Sequence, residues 1–341
     1  MTTSEHQGAV ATWLAVCAAM VLGMVVLGGA TRLTHSGLSI VEWQPIVGTI
    51  PPLSPADWNT TFDKYKQTPE YKRVNQGMSL DEFKGIFWWE YFHRLLGRTI
   101  GFVFLVPLLY FWRRGAITRP LVRVLIGIFV LGGLQGFMGW YMVSSGLVDE
   151  PAVSPFRLTA HLLLALVIFA WMWWTALSLW HPRPAAAAPG RLRRLSWIAT
   201  LLVVFMATSG GFVAGIRAGL TYNTFPLMGD YIVPPEILMM EPWWKNFFYN
   251  MATVQFDHRL GAWTLAVFVP YLVWRVRAMT ADARTRRAAM LLFAMLAVQI
   301  TLGISTLLWF VPVPLAVLHQ GGAVLVLAAA LNLNHALRGT R

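Results

Sequence analysis

The sequence holds one cysteine, Cys17, inside an apolar stretch. A lone thiol excludes a disulfide framework, a thiolate metal cage and a paired-cysteine redox centre. Any metal must be held by nitrogen or oxygen. Charge is scarce as well. Only 12% of the 341 residues are Asp, Glu, Lys or Arg, and 57% are apolar. A soluble domain carries about 25% charged residues, so too little polar surface is left to coat a water-facing globule. Disorder, collagen-like repeats and coiled coils are excluded by the same composition. What remains is an all-α integral membrane protein built from apolar segments of about 20 residues.

Hydropathy predicts eight spans, at roughly 10–30, 88–111, 121–142, 157–180, 195–215, 254–274, 288–310 and 315–337. Unpaired backbone cannot sit in lipid, so each is expected to be a helix. The charges sort by side. Arg113, Arg114, Arg119, Arg123, Arg183, Arg191, Arg193, Arg194, Arg275, Arg277, Arg284, Arg286, Arg287, Arg338 and Arg341 share one side with only two acids, Glu5 and Asp282. Short basic loops stay cytoplasmic, which predicts both termini inside. The net charge of +12 is then topology, and no nucleic acid partner is implied. The long first loop (31–87) and fifth loop (216–253) fall outside, with Trp58, Trp88, Trp89, Trp140, Trp243, Trp244 and Trp309 near the outer boundary. Gly28-Gly29-Ala30 leads into a loop, unlike a signal cleavage site, and no Arg-rich transit segment precedes it. The expected location is a bacterial inner membrane.

Spans 1–4 and 5–8 repeat each other. Glu90-Tyr91-Phe92-His93-Arg94-Leu95 returns as Gln255-Phe256-Asp257-His258-Arg259-Leu260. Gln135 with Gly139 returns as Gln299 with Gly303, and His161 as His319. Gly28-Gly29, Arg32 and Gly37-Leu38 return as Gly210-Gly211, Arg217 and Gly219-Leu220. Both halves start on the same side, so the repeats are parallel, unlike inverted transporter repeats. The expected architecture is two tandem pseudo-symmetric four-helix bundles, residues 1–185 and 186–341.

Four of the eight histidines fall in the repeat. His93, His161, His258 and His319 each lie about one turn inside the outer end of an even-numbered span, at one depth. Two imidazoles from facing helices of a four-helix unit suit a six-coordinate haem iron. The pairs would be His93 with His161 and His258 with His319. Gly97, Gly101, Gly136, Gly139, Gly261, Gly303, Gly321 and Gly322 would let a flat macrocycle lie on backbone. Arg94, Arg98 and Arg259 are placed to bind propionates. Carboxylates near these histidines are few (Glu90, Glu150, Asp257), which argues against a di-metal site. His6, His35, His181 and His335 are expected to be solvated or interfacial.

The halves differ at one point. Glu90 precedes His93 by three residues and shares its helix face, whereas Gln255 stands before His258. One acidic and one neutral site suggest one reaction centre and one electron-transfer haem. The plain alternative is that Glu90 pairs with Arg94 one turn on.

Nearly the whole chain resembles the haem A synthase family. The resemblance is carried by Gly28-Gly29-Ala30-Thr31-Arg32-Leu33-Thr34, Ser36-Gly37-Leu38-Ser39, Trp43-Gln44-Pro45, Gly48, Pro51-Pro52, Pro69-Glu70-Tyr71, Glu82-Phe83-Lys84, Glu90 to Gly101, Ala218-Gly219-Leu220 through Asn223-Thr224-Phe225-Pro226-Leu227-Met228, and Asp257-His258-Arg259. The first loop looks like the proteobacterial and mitochondrial type, without the loop cysteine pair of other members. The resemblance implies an oxidoreductase that turns the C8 methyl of haem O into a formyl group, through the alcohol and its hydrate, giving haem A for cytochrome c oxidase. It implies a resident haem b on His258 and His319, substrate haem O facing His93 and His161, and Glu90 assisting the oxidation. It also implies an electron donor, and haem O synthase and oxidase assembly factors as partners. Two other readings are open. A transmembrane dihaem b-type electron-transfer cytochrome would need haems stacked across both leaflets. A non-enzymatic haem carrier would need a broken span with charge at mid-depth.

Overall fold

The computed structural model describes residues 6–42, 47–144, 152–182, 189–280 and 282–338. Glu5, Trp43, Gln44, Pro45, Glu150, Arg183 and Arg341 lie outside the described residues. Eight long helices carry the chain: α1 (Gln7–Leu33), α4 (Leu80–Arg113), α5 (Arg119–Ser144), α6 (Pro155–Trp180), α7 (Gly190–Gly215), α9 (Met251–Met279), α10 (Ala283–Leu308) and α11 (Val313–Ala336). Three short helices lie between them: α2 (Pro55–Lys66), α3 (Pro69–Arg73) and α8 (Asn246–Tyr249). The shortest long helix has 24 residues, or about 36 Å at 1.5 Å per residue, enough for a hydrocarbon core of about 30 Å. Seven of the eight are apolar enough to cross a membrane, which makes this a multi-pass membrane protein. α9 falls short on hydropathy because Asp257, Arg259, Arg275 and Arg277 interrupt it. It is nevertheless 29 residues long and packs against α7 and α10 as its counterpart α4 packs against α1 and α5.

Helix ends run up to about two turns past the hydropathic windows, because polar caps begin the helices earlier. Ser79 accepts the N–H of Glu82 while the Glu82 carboxylate accepts that of Ser79, so α4 starts eight residues before its expected span. The reciprocal pair satisfies two orphan donors. Ser54 and Asp57 do the same for α2. The extra turns of α4 join α2 and α3 in an aromatic cap of Phe62, Tyr65, Phe83, Phe87 and Tyr91.

One continuous apolar core runs through both halves. Within each half, α1 packs on α4 and α5 on α6, as α7 packs on α9 and α10 on α11. The halves meet where α1 touches α11 and α6 touches α7 and α11. Glycines set those crossings. A Cβ at Gly29 would strike the Gln320 amide of α11, and one at Gly211 would lie 2.7 Å from the Thr159 hydroxyl of α6. At the opposite end from the cap, His335 is fully buried. Its Nδ1 accepts from Arg284 at 2.8 Å and its Nε2 sits 3.3 Å from Ser178 Oγ. The structure corrects the expectation of a solvated or interfacial His335: it ties α6, α10 and α11 together.

The seam also fixes the register of the repeat. Arg32 donates to the carbonyl of Ala214, and Arg217 Nη2 donates to His35 Nδ1 at 3.2 Å. Both pairs are 182 residues apart, as are Gly28 and Gly210. Equivalent positions therefore touch each other, so a pseudo-twofold axis passes between them. Arg217 corresponds to His35, not to Arg32; both follow their helix in the left-handed conformation, at φ 58° and φ 54°. Partial burial, then the charges of Arg217 and Arg32, hold His35 below the usual histidine range.

The seam yields a prediction. A Cβ at Gly215 would come 2.6 Å from Pro155 Cβ and 2.9 Å from its Cα, whereas one at Gly23 meets nothing within 4 Å. Gly215→Val should lower thermal stability in detergent by about 1–3 kcal/mol. Gly23→Ala should leave it unchanged or slightly raised. Equal melting of both variants would mean that α6 and α7 do not pack this closely.

Candidate functional site

The four repeated histidines sit on α4, α6, α9 and α11 toward the end that carries the aromatic cap. Each ring lies against a glycine of the neighbouring helix. A Cβ at Gly28 would come 2.9 Å from Cε1 of His93, and at Gly210 3.3 Å from Cε1 of His258. For Gly139 and His161 the distance is 3.2 Å, and for Gly303 and His319 it is 2.8 Å. So α1 seats the histidine of α4 as α7 seats that of α9, and α5 seats the histidine of α6 as α10 seats that of α11. Small residues let helices pack closely with a ring between them. The missing side chains make the room.

A glutamine orients two of the rings. Gln135 Nε2 lies 3.2 Å from His161 Nδ1 and donates to the His161 carbonyl at 3.0 Å. Gln299 does the same to His319, at 3.1 and 2.8 Å. Ser209 Oγ lies 2.7 Å from Nδ1 of His258. Leu27 stands 182 residues earlier, at the equivalent place, and Nδ1 of His93 is buried without a partner. The Oε1 atoms of Gln135 and Gln299 are buried without partners as well.

The second-half pair is set for a shared ligand. The rings of His258 and His319 have centroids 6.4 Å apart and planes 80° apart. Two metal–nitrogen bonds of about 2 Å plus two ring radii of about 1 Å span about 6 Å. One iron between two imidazoles would need this spacing, and the buried ring and amide atoms without protein partners fit a polar ligand added there; the glycine notches themselves are taken by the histidine rings. Of the glycines expected to make room for a macrocycle, Gly139 and Gly303 seat the rings. Gly97, Gly261, Gly321 and Gly322 instead bring Met24, Met206, Val26 and Gln299 close, and Gly101 and Gly136 face open space.

Glu90 is 3% exposed and both its oxygens are engaged. Oε2 accepts from Ser39 N and Oγ, each at 2.7 Å, and from Ile40 N at 2.9 Å. Oε1 accepts from Arg94 Nε at 3.0 Å and Nη2 at 2.6 Å. Arg94 also donates to the carbonyls of Ile40 and Glu42. In the other half, Gln255 donates to the Ala218 carbonyl at 2.9 Å, and Arg259 donates to those of Tyr222 and Leu227. The same i, i+4 pair thus clamps an outer loop in both halves, through a carboxylate in one and an amide in the other. Arg98, one turn beyond Arg94, is half-buried on α4. Asp257, beside His258 on α9, is half-buried. The seats Gly28 and Gly210, and the partner Ser209, escaped the sequence reading. The constant spacing of 182 between spans 1 and 5, against 165 between His93 and His258, was the signal for the first two.

The seats are testable with the purified protein. Gly303→Val should push His319 aside and weaken binding of added haem by about 10–100-fold, the range for disturbed metal-ligand support, seen as a lost Soret shift. Gly136→Ala should titrate like the wild type. Tight haem binding by the Gly303 variant would show that His319 is not a ligand in this position.

The comparisons follow this geometry. Residues 11–331 match the family model described as cytochrome oxidase assembly protein. The chain is 62% identical to the haem A synthase of Nitrosospira multiformis over 97% of its own length and 94% of that protein's. It is 53% identical to the haem A synthase of Nitrosomonas eutropha, over 96% and 93%, and 49% identical to that of Rhodospirillum centenum, over 97% and 88%. With a match spanning its helices from α1 to α11, this chain belongs to the cytochrome oxidase assembly protein family.

Proposed function

We propose that the protein is a haem A synthase, an oxidoreductase that converts the C8 methyl of haem O to the formyl of haem A for cytochrome c oxidase. The observation that carries the reading is one frame built twice and then made unequal. Both halves keep the histidine, its glycine seat and the orienting glutamine. The second half adds Ser209 beside its first histidine, where the first half has Leu27, and holds its ring pair at 6.4 Å. Only the first half has a carboxylate, Glu90, one turn from its histidine.

On this reading His258 and His319 hold a resident haem b. Ser209 fixes the ring of His258 by accepting from Nδ1–H, as second-shell partners do for ligating histidines. When bound, haem b supplies one-electron transfer. His93 and His161 face substrate haem O. His93, without a hydroxyl on Nδ1, is less fixed, as suits a group whose partner arrives and leaves. Glu90 keeps a negative charge one turn from the reacting ring system and steadies positive charge that develops as the methyl carbon is oxidised. Through Ser39 and Ile40 it also holds the first loop over the site, which restricts water. On this reading the basic loops lie in the cytoplasm with both termini, and the histidines lie near the periplasmic face of a bacterial inner membrane. An electron donor, haem O synthase and oxidase assembly factors are the partners this activity calls for.

Membranes containing the protein, given haem O and a reductant, should yield haem A by chromatography and mass. No haem A, with haem b bound, would favour a dihaem electron-transfer cytochrome. His258→Ala with His319→Ala should abolish the Soret band of the isolated protein. Glu90→Gln should retain bound haem but lower the haem A yield or stop at the alcohol. An unchanged product ratio in that variant would remove Glu90 from the chemistry.

A further inference from the structure

At the end of the bundle opposite the aromatic cap, two guanidinium groups share one cluster without a carboxylate to pair them. Arg284, in the first turn of α10, donates from Nη2 to Nδ1 of the fully buried His335 at 2.8 Å. That leaves the ring proton on Nε2, which faces Ser178 Oγ on α6 at 3.3 Å. Arg338, just past α11, donates from Nη1 to the same hydroxyl at 3.1 Å and from Nη2 to the carbonyl of His181, the residue that ends α6. The chain Arg284–His335–Ser178–Arg338 thus gathers the ends of three long helices around two positive charges. Among the described residues neither guanidinium has an ion pair. Asp282, two residues before Arg284, spends Oδ2 on Thr285 N and Oγ, at 2.8 and 2.6 Å. Arg338 Nε is buried with no partner. His335 is the one hydrogen-bond partner of the Arg284 guanidinium among the described residues, so most of that fork is unused.

His181 stands at the exposed rim of the cluster, with its ring 6.2 Å from that of His335. Burial, then the charges of Arg284 and Arg338, hold it below the usual histidine range, so both cations act at one place. Arginine does not shed its proton to relieve such crowding. A bound anion relieves it.

We propose that this cluster is a binding site for a phosphate-bearing anion, reached from the lipid headgroup layer, with the free N–H groups of Arg284 and Nε of Arg338 as its donors. A guanidinium fork matches phosphate oxygens. The setting suits a phospholipid as the carrier. The cluster lies at the ends of α6, α10 and α11, where headgroups meet water. Trp180, next to His181, is 40% exposed, and Trp197, which touches the His335 neighbour Trp174, is 47% exposed. Indole rings favour that level of a membrane, and basic pockets between spanning helices take anionic headgroups. The inference does not rest on the haem A synthase reading, because the four repeated histidines lie toward the other end of the bundle.

The test uses the full-length protein, purified in detergent and stripped of lipid, in wild-type, Arg338→Gln, Arg338→Lys and Arg114→Gln forms. Native mass spectrometry follows binding of added phosphatidylglycerol and, separately, of the net-neutral phosphatidylcholine. Wild type should hold one phosphatidylglycerol in preference to phosphatidylcholine. Arg338→Gln should weaken that binding by about tenfold or more, as loss of a charged donor does. Arg338→Lys should weaken it less, since the charge stays and the fork goes. Arg114→Gln removes an exposed charge at the same end of the bundle, from the end of α4, and should bind like the wild type. Melting curves separate the sources, because a ligand of the folded state raises the melting temperature. A rise with phosphatidylglycerol but not with inorganic phosphate, lost in Arg338→Gln, assigns the site to a headgroup. A rise with inorganic phosphate alone, lost in the same variant, assigns it to a free phosphate. Equal retention of the two lipids overturns the proposal, as does equal loss in Arg338→Gln and Arg114→Gln, which would leave only a diffuse surface charge. Unchanged affinity in whichever Arg338 variants fold overturns it as well.

Discussion

An imidazole can sit between two closely packed helices only where the neighbouring backbone leaves it room, which small residues provide. The molecule meets this constraint by omission. Gly28, Gly139, Gly210 and Gly303 leave four notches, and each notch takes the Cε1 edge of one histidine. Because the notch and the ring lie on different helices, each fixes the height of its neighbour. The packing of each ring against its glycine thus ties the histidine's position along its own helix to the neighbouring one. The glycines at the seam, Gly29, Gly211 and Gly215, apply the same device between halves.

The two like frames differ at a few positions. A hydroxyl at position 209 where the first half has Leu27 gives one histidine a partner and leaves its counterpart without one. A buried polar atom without a partner costs about 1–3 kcal/mol, so the His93 site is less settled until something occupies it. The exchange of Glu90 for Gln255 works differently. A carboxylate gathers N–H groups, from Ser39 and Ile40, whereas an amide donates to a carbonyl, that of Ala218. The two outer loops are therefore anchored with opposite polarity, and only one anchor carries charge.

Hydropathy and period made the helical architecture legible, since lipid allows few alternatives for an apolar run of 20 residues. Hydropathy also marks α9, at 254–274, although its charges keep it below the mean hydropathy of the other seven. The helix starts were less legible. They depend on capping partners such as Ser79 and Glu82, which act through side-chain geometry that a hydropathic window averages away. The histidines were readable because they recur. Their seats were not assigned, because a glycine beside an open space and a glycine under a ring look alike until the neighbouring helix is placed. Matching Arg217 with Arg32 followed residue type, whereas the fold matches by register and pairs Arg217 with His35. His335 misled for a similar reason: a histidine at a helix end suggests water, but Arg284 and Ser178 come from helices far away in sequence.

The arginines connect the loops to the sites. Arg94 and Arg259 were expected to bind propionates, and each already donates to two carbonyls of its outer loop. A guanidinium presents its N–H groups in a rigid fork, and Arg94 sets two of them on Glu90 and others on the carbonyls of Ile40 and Glu42. A carboxylate arriving from a ligand would compete with Glu90 and the loop carbonyls for that fork. In the second half, Arg259 holds Gln255 by one longer contact of 3.3 Å, so the same competition there is with a neutral amide. The outer loop of the first half is thus held through a charged pair, and that of the second half through an amide.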